Sequence, residues 1–245
     1  VTRTGLRHDR RWMIVDATGR FVSQREDPRL GRILPSLDEE RLRLEVPDAP
    51  PLELPLAPAD GEVVRVRIWS DEVEARSCGA KADAWIQALL GDRHQLVVLT
   101  DDDGRPVDPD YARDDDRVSF ADGYPFLLTT SASLNELNRR AGTSLEMARF
   151  RPNLIVGGAE PFAEDGWTRL RIGDLTFRVV KPCVRCVVTT LDPATGEAGR
   201  EPLRTLATFR KTEKGVTFGQ NLLAAGPGVL RVGDAVDVVP TDAGG

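Results

Sequence analysis

The run Lys181-Pro182-Cys183-Val184-Arg185-Cys186 carries the strongest chemical signal in the chain. Cys186 leads into the β-branched stretch Val187-Val188-Thr189-Thr190 and then a turn, Asp192-Pro193-Ala194-Thr195-Gly196. That pattern predicts Cys186 at the mouth of a strand. Positive charge at Lys181 and Arg185 suits a thiolate, and a thiolate on a strand end suits a soft metal or the receipt of sulfur. Other uses of the spacing fit less well. A zinc knuckle needs a second ligand pair at short spacing, and Cys78, His8 and His94 do not form one. A thioredoxin-type pair opens a helix, whereas a β-run comes next here. Spacing alone fits equally well two structural cysteines buried at a strand start, because free Cys packs well.

Three further segments offer polar groups beside strands. In Phe150-Arg151-Pro152-Asn153-Leu154-Ile155-Val156, the proline biases Arg151 towards an extended conformation at a strand entrance. Arg151 presents a donor fork for a phosphate or a heteroaromatic ring, and Asn153 presents both a donor and an acceptor. In Asp9-Arg10-Arg11-Trp12, adjacent arginines precede a β-run and suit an anion. In Phe120-Ala121-Asp122-Gly123-Tyr124-Pro125-Phe126, Asp122 stands where an acidic loop enters an apolar strand, placed to accept hydrogen bonds from ring amino groups. Taken singly, each has a plainer reading: a surface Arg, a solvated strand edge, a turn Asn or Asp.

The remaining composition narrows the classes. The 245 residues suffice for one large or two small domains with a real core. A formal net charge of −6 disfavours a general nucleic-acid binder. No apolar run reaches the roughly 18 to 20 residues that cross a bilayer, so no membrane association is expected. No basic-apolar-small leader opens the sequence. Three cysteines argue against a disulfide scaffold and for a reducing, cytoplasmic compartment. The same count excludes an in-chain iron–sulfur cluster held by four cysteines, so electrons for any redox work come from another polypeptide.

The positioning elements read mainly as strands with a few helices, an α+β class rich in β-barrel character. Trp12-Met13-Ile14-Val15, a turn at Asp16–Gly19 and Arg20-Phe21-Val22-Ser23 form a hairpin pattern. Arg41 to Val46 and Val63 to Trp69 alternate with period two. Pro47 to Pro58 reads as loop, and Asp101 to Arg117 as a long acidic loop. Ala82, Trp85, Ile86, Leu89 and Leu90 define one face of a helix over Ala80 to Leu90. Ser133-Leu134-Asn135-Glu136 has the form of a capping box, opening a helix that ends near Gly142. Gln95 to Thr100, Leu154 to Val156, Arg171-Ile172, Leu175 to Val180, Val187 to Thr190 and Val229 to Val239 read as strands. Pro202 to Lys211 reads as a short helix. The near copies Leu170-Arg171-Ile172-Gly173-Asp174 and Leu230-Arg231-Val232-Gly233-Asp234 read as two turns of one small barrel.

Several of these segments, in order along the chain, resemble the MOSC (molybdenum-cofactor sulfurase C-terminal) superfamily, and most closely its amidoxime-reducing branch. Gly5-Leu6-Arg7-His8-Asp9-Arg10-Arg11-Trp12 and Arg25-Glu26-Asp27-Pro28-Arg29-Leu30 look like its N-terminal β-barrel domain. Phe150-Arg151-Pro152-Asn153, Cys183-x-Arg185-Cys186, Thr189-Thr190-Leu191-Asp192-Pro193-x-Thr195-Gly196 and Phe218-Gly219-Gln220 look like the MOSC domain. The resemblance implies two domains, residues 1–95 and 96–245, and a molybdenum–molybdopterin cofactor. It implies Cys186 as metal ligand, and Cys186 with Asp122 as catalytic residues. Arg10 would hold the phosphate end of the cofactor, and Asp122, Gly123, Arg151, Asn153 and Arg185 would contact it, with Cys183 and Arg185 shaping the surroundings of the metal. It further implies a strand ahead of Val1, ending in a Tyr-Pro-Val-Lys-Ser-type run; the sequence begins past it. The implied activity is reduction of N-hydroxylated compounds such as amidoximes and hydroxylamines, with electrons from a ferredoxin-like or flavin reductase partner. Two other readings share the resemblance: a persulfide carrier in cofactor sulfuration, with sulfur on Cys186, and a non-catalytic cofactor-binding protein.

Overall fold

Period-two alternation of apolar and polar residues gives this chain most of its strands, and the fold is mainly β with a few helices. The structure, a computed structural model, describes residues 1–47, 49–56, 61–91, 93–99 and 104–240. It divides into two compact units: residues 10–105 with 191–198, and residues 1–9 with 106–190 and 199–245. The chain thus passes from one to the other at Asp9–Arg10, and the expected division after residue 95 falls inside a strand, Gln95–Leu99. No helix of the described residues is long and apolar enough to cross a membrane.

The unit built on residues 10–105 holds β1 (Trp12–Val15), β2 (Leu34–Leu37), β3 (Arg41–Glu45), β4 (Leu52–Pro55), β5 (Val63–Ile68), β6 (Asp71–Ser77), α1 (Ala80–Leu90) and β7 (Gln95–Leu99). One antiparallel sheet runs β1-β7-β6-β5 and a second runs β2-β3-β4. Their shared core packs Leu42, Leu44, Leu52 and Leu54 against Ala82, Ile86 and Leu90 of α1, the face its sequence periodicity defines. The expected hairpin after β1 is present, but its returning arm pairs only through a bridge from Val15 to Phe21. Asp16 closes the turn by accepting from the Thr18 and Arg20 amides. The Pro-rich stretch is not all loop. Leu52 and Leu54 are 1% and 6% exposed, and burying this two-residue repeat outweighs the flanking prolines to make β4. Residues 48, 57–60 and 100–103, parts of the expected loops and of the strand through Thr100, lie outside the described residues.

After Arg105–Pro106 (β8), which spans the crossing, the other unit holds β9 (Arg117–Val118), β10 (Phe126–Thr130), α2 (Ser131–Ala141), β11 (Leu154–Val156), β12 (Arg169–Ile172), β13 (Leu175–Val184), α3 (Leu203–Leu206), β14 (Lys211–Thr212), β15 (Gly215–Ala224) and β16 (Val236–Val238). The main sheet runs β11-β10-β15-β13-β12-β16, with β14 on β15. The long antiparallel pair β13–β15 is its spine. Phe126, Leu128, Leu170, Phe177 and Leu222 fill one core; Leu137, Phe150, Leu206 and Phe218 fill another.

Four expectations change here. The α2 cap is Thr130, whose hydroxyl accepts the Ser133 amide at 3.1 Å, and not Ser133. Ser133 instead donates to the buried Glu164 at 2.7 Å, and Glu136 pairs with Arg139 and Arg140. The segment up to Arg117 is pinned where described, because Val107 and Val118 are buried and Asp108 and Asp116 hold Lys181 and Arg178. Strand over Val229 to Val239 is confined to β16; of the two similar turns, Gly173 joins β12 to β13 and Gly233 leads towards β16. Finally, Val187–Thr190 is a 3-10 helix and not a strand.

Candidate functional site

The Cys-x-x-Cys run is built on the end of β13. Two register shifts interrupt its pairing with β15, between Val179 and Lys181 and between Pro182 and Val184. Beyond them Val184 again faces Thr217, and the Arg185 amide donates to Val216 O at 2.8 Å. The backbone from Cys183 to Arg185 is therefore extended. Three extended steps span roughly 10 Å, well beyond the ~7 Å limit for cysteine Cα atoms joined by a disulfide. Cys183 and Cys186 are accordingly separate free thiols, both half-buried, which removes the dithiol reading and the reading as two core cysteines.

Cys186 lies past the end of one strand, and the residues after it are helical. The Thr189 amide and hydroxyl both donate to the Cys186 carbonyl, at 3.1 and 2.9 Å, and the Thr190 hydroxyl donates to Val187 O at 2.7 Å. Such local side-chain bonds compete with a sheet ladder, so two threonines turn a β-branched run into a 3-10 helix. Among the described residues nothing hydrogen-bonds the Cys186 sulfur.

Arg185 points elsewhere. Its Nη1 donates to Cys183 Sγ at 3.0 Å, its Nη2 to Phe150 O at 2.7 Å, and its guanidinium lies 5.4 Å from the Phe150 ring centroid. Its Nε is buried with no partner. Phe150 is itself fixed by stacking on Phe218 at 4.2 Å. The positive charge of Lys181 is likewise spent locally: Nζ is 3.3 Å from Asp108 and 4.3 and 4.9 Å from the rings of Tyr111 and Tyr124. Burial alone would lower the Lys181 pKa, but Tyr124 and Asp108 outweigh it and the pKa is raised.

Through Phe150 the strand end is tied to the second predicted segment. The 3-10 helix Met147–Phe150 packs against the 3-10 helix Val187–Thr190 and ends at Arg151. Arg151 is not extended as its proline neighbour suggests. It caps that helix in the left-handed region, φ 52°, with its amide on Ala148 O at 3.1 Å, and its side chain is exposed. A left-handed non-glycine residue is strained, and the cap holds it there. Asn153 comes two residues later, and its amide group is largely engaged. Oδ1 accepts the Leu127 amide at 2.9 Å, Nδ2 donates to Asp9 Oδ2 at 2.7 Å, and its backbone amide donates to Leu127 O at 2.9 Å. Asn153 thus locks the entrance of β11 to β10 and to the Asp9 loop. Asp122 is exposed on the bend leading into that same β10, and a Cβ placed on Gly123 would have nothing within 4 Å.

Of the predicted site residues, Asp122, Gly123, Arg151, Asn153, Arg185 and Cys186 stand in this unit; Arg10 belongs to the other, where it precedes β1 in a left-handed conformation, φ 51°. Hydrogen bonds link Arg185 to the Arg151 segment and Asn153 to β10, the strand Asp122 enters. Asp9, the Phe150 carbonyl and Thr189 complete the frame. Residue types alone do not reveal them as participants, although each lies within one of the sequence motifs. An open cleft lined by Asp110, Tyr111, Arg169 and Arg178 lies further up β13 and includes none of the predicted residues.

Comparison with known proteins supplies the family. The family model of the MOSC N-terminal beta barrel domain matches residues 1–93, and that of the MOSC domain matches residues 115–237. The chain is 35% identical to mitochondrial amidoxime-reducing component 1 of Homo sapiens over 96% of its own length and 74% of that protein. It is 34% identical to mitochondrial amidoxime reducing component 2 of Rattus norvegicus, with the same coverage of 96% and 74%. The crystal structure of YiiM from Geobacillus stearothermophilus is a distant neighbour, with TM-score 0.38 and 17% identity over 49% of this chain and 57% of that one. The ordered motifs, the matches to both domain models and the near full-length similarity together place this chain in the MOSC-domain family, in the branch of the amidoxime-reducing components.

Proposed function

We propose that this chain binds a molybdenum–molybdopterin cofactor with Cys186 as its one protein ligand to the metal, and that it reduces N-hydroxylated compounds such as amidoximes and hydroxylamines. The observation that carries the reading is the Cys186 sulfur: half-buried, at a strand end, with no hydrogen bond from the described residues, while the neighbouring Cys183 sulfur is engaged by Arg185. The donor set fits such a group. No cluster of three His, Cys, Asp or Glu among the described residues could hold a metal, so an ion at Cys186 must bring its other ligands with it, as a pterin dithiolene does. The buried Arg185 Nε and the open space at Gly123 are further features a bound cofactor would use.

The cofactor supplies the two-electron redox couple; the chain supplies position and protons. Arg185 holds the strand end against Phe150 and so fixes where the Cys186 sulfur stands. The Asn153 brace fixes Arg151, whose exposed guanidinium suits a phosphate or the pterin ring. Arg10 is assigned the phosphate end. Reduction of an N-hydroxyl group consumes two electrons and two protons and releases water, and the exposed Asp122 carboxylate is the group assigned to pass a proton. The electrons come from a separate ferredoxin-like or flavin reductase partner. We further assign residues 1–95 and 96–245 to the two domains, and a reducing, cytoplasmic compartment to a chain whose three cysteines are all free.

The test is Cys186→Ala in a host that makes the cofactor. Molybdenum by elemental analysis and pterin by fluorescence should fall at least tenfold, together with turnover of an amidoxime. Retained molybdenum and turnover would overturn the assignment. Wild-type protein free of metal and carrying one extra sulfur atom on Cys186 by mass spectrometry would favour the persulfide carrier.

A further inference from the structure

The outer face of β12 and β13 carries arginines that the reductase reading does not use. Alternation buries Leu170 and Ile172 and turns Arg169 and Arg171 outward. Arg171 is answered by Asp237 of β16, directly across the sheet, at 2.6 Å. Arg178 of β13 is answered by Asp116. Arg169 stands opposite Arg178 in the register of the two strands. Like charges so placed destabilise a sheet, yet among the described residues no acidic side chain pairs with the exposed Arg169. Both arginines line an open cleft of about 340 Å³, together with Thr168, Asp110, Tyr111 and Val180. That volume lies at the lower end of small-molecule sites. Most of the polar groups on its walls are donors. Arg169 brings a whole guanidinium, and Arg178 gives only Nη2 to Asp116. The Tyr111 hydroxyl accepts from Lys214 Nζ at 3.0 Å, which leaves its own proton to donate. Asp110, the one acid on the lining, makes no ion pair with either arginine. A ligand rich in acceptors and carrying negative charge is what these walls lack.

We propose that this cleft binds a small organic oxyanion, a phosphate monoester or a carboxylate, with the charged group between Arg169 and Arg178 and the apolar body against Tyr111 and Val180. The guanidinium fork matches either oxyanion. The cleft shares no residue with the Cys186 site, so its test leaves the reductase reading untouched. The experiment is calorimetric titration of phenyl phosphate, benzoate and inorganic phosphate into chain purified from a host that makes the cofactor. At least one aryl anion should bind, and the tighter of the two identifies the oxyanion. Inorganic phosphate, which has no apolar body, should bind at least about tenfold more weakly than that one. Arg169→Gln should weaken the preferred anion at least about tenfold, and Arg169→Lys, which keeps the charge without the fork, should fall between. Arg171→Gln lies on the same face but outside the cleft, and it should bind as wild type. Because Arg169 faces a like charge, Arg169→Gln should melt no lower than wild type, as replacing an arginine that only supports the fold would not allow. Absence of binding by all three anions, or equal affinity in Arg169→Gln, would overturn the proposal. So would inorganic phosphate binding as tightly as the aryl anions, or a melting point lower by more than about 3 °C in Arg169→Gln.

Discussion

Replacing Asn153 with alanine tests whether that residue is a brace, as its hydrogen bonds indicate. The substitution keeps the backbone bond from residue 153 to Leu127 O and deletes both side-chain bonds, to the Leu127 amide and to Asp9. Leu127 is 8% exposed, so its amide is left without a partner where water reaches poorly, which costs about 2 kcal/mol. The bond to Asp9 is charge-assisted, but Asp9 is half-buried and regains water, so its loss costs about 1 kcal/mol. The sum, about 3 kcal/mol, is a change of roughly 150-fold in the unfolding equilibrium. Urea unfolding of the cofactor-free chain measures it without any contribution from cofactor contacts. Asp9→Ala alone should lose at least about 1 kcal/mol, and the double variant should lose about 1 kcal/mol less than the sum of the two single variants, a coupling of about 1 kcal/mol. A loss below about 1 kcal/mol for Asn153→Ala, or strict additivity with Asp9→Ala, would refute the brace and return Asn153 to a role in ligand contact alone.

Two further outcomes are expected from other parts of the fold. Gly219 has φ +78°, and a Cβ there would lie 2.6 Å from Leu128 O and 2.8 Å from Thr129 Cγ2. Left-handed strain of ~1–2 kcal/mol plus separation of β10 from β15 should cost Gly219→Ala at least about 3 kcal/mol, seen calorimetrically as a melting point lower by roughly 6–12 °C; a drop under about 3 °C would contradict the packing. Cys78 has its pKa pushed up from 9.0 to about 12, chiefly by burial, with the charge of Asp83 adding to it. A thiol that keeps its proton more tightly when folded contributes stability that is fully present below pH 9.0 and lost as pH climbs towards about 12. The stability of wild type relative to Cys78→Ala should therefore decline between pH 9.0 and about 12 in urea titrations, and a flat difference would contradict the burial argument.

Periodicity made the regular elements legible. Arg41 to Val46, Val63 to Trp69 and Ala80 to Leu90 appear within a residue of where their apolar spacing puts them, because burial of a repeating face decides each one. The misreadings occur where a short side chain bonds its own backbone. Thr189 and Thr190 fold a β-branched run into a 3-10 helix, and Thr130 takes the α2 cap from Ser133, which is claimed by a buried glutamate 31 positions away. The leucines of β4 were hidden among prolines. At the site, residue types were readable and partners were not. Arg185 sits beside Cys186 in sequence but bonds Cys183 and Phe150, and Asn153 bonds Asp9, 144 positions away. Spacing names the chemistry available, whereas tertiary contacts decide which groups remain available for it.

The two irregularities in β13 carry that distinction furthest. Phe177 faces Ala224 and Val179 faces Leu222; after the first shift Lys181 faces Asn221 and Pro182 faces Gln220. The second shift restores the original register, so that Val184 faces Thr217 just as an unbroken ladder from Phe177 would place it. Opposite bulges thus displace only Lys181-Pro182, of which Lys181 meets Asp108, Tyr111 and Tyr124, and return the strand end to the ladder. With the ladder restored, the Arg185 amide pairs with Val216, its guanidinium turns to Cys183, and Cys186 goes to the opposite face. A single uncompensated bulge would move every later side chain to the other face, sending Arg185 to the side where the free sulfur now stands. The difference between the two sulfurs, one held by Arg185 and one without a hydrogen bond from the described residues, is therefore made by strand register, and the proposed assignment of Cys186 rests on that difference.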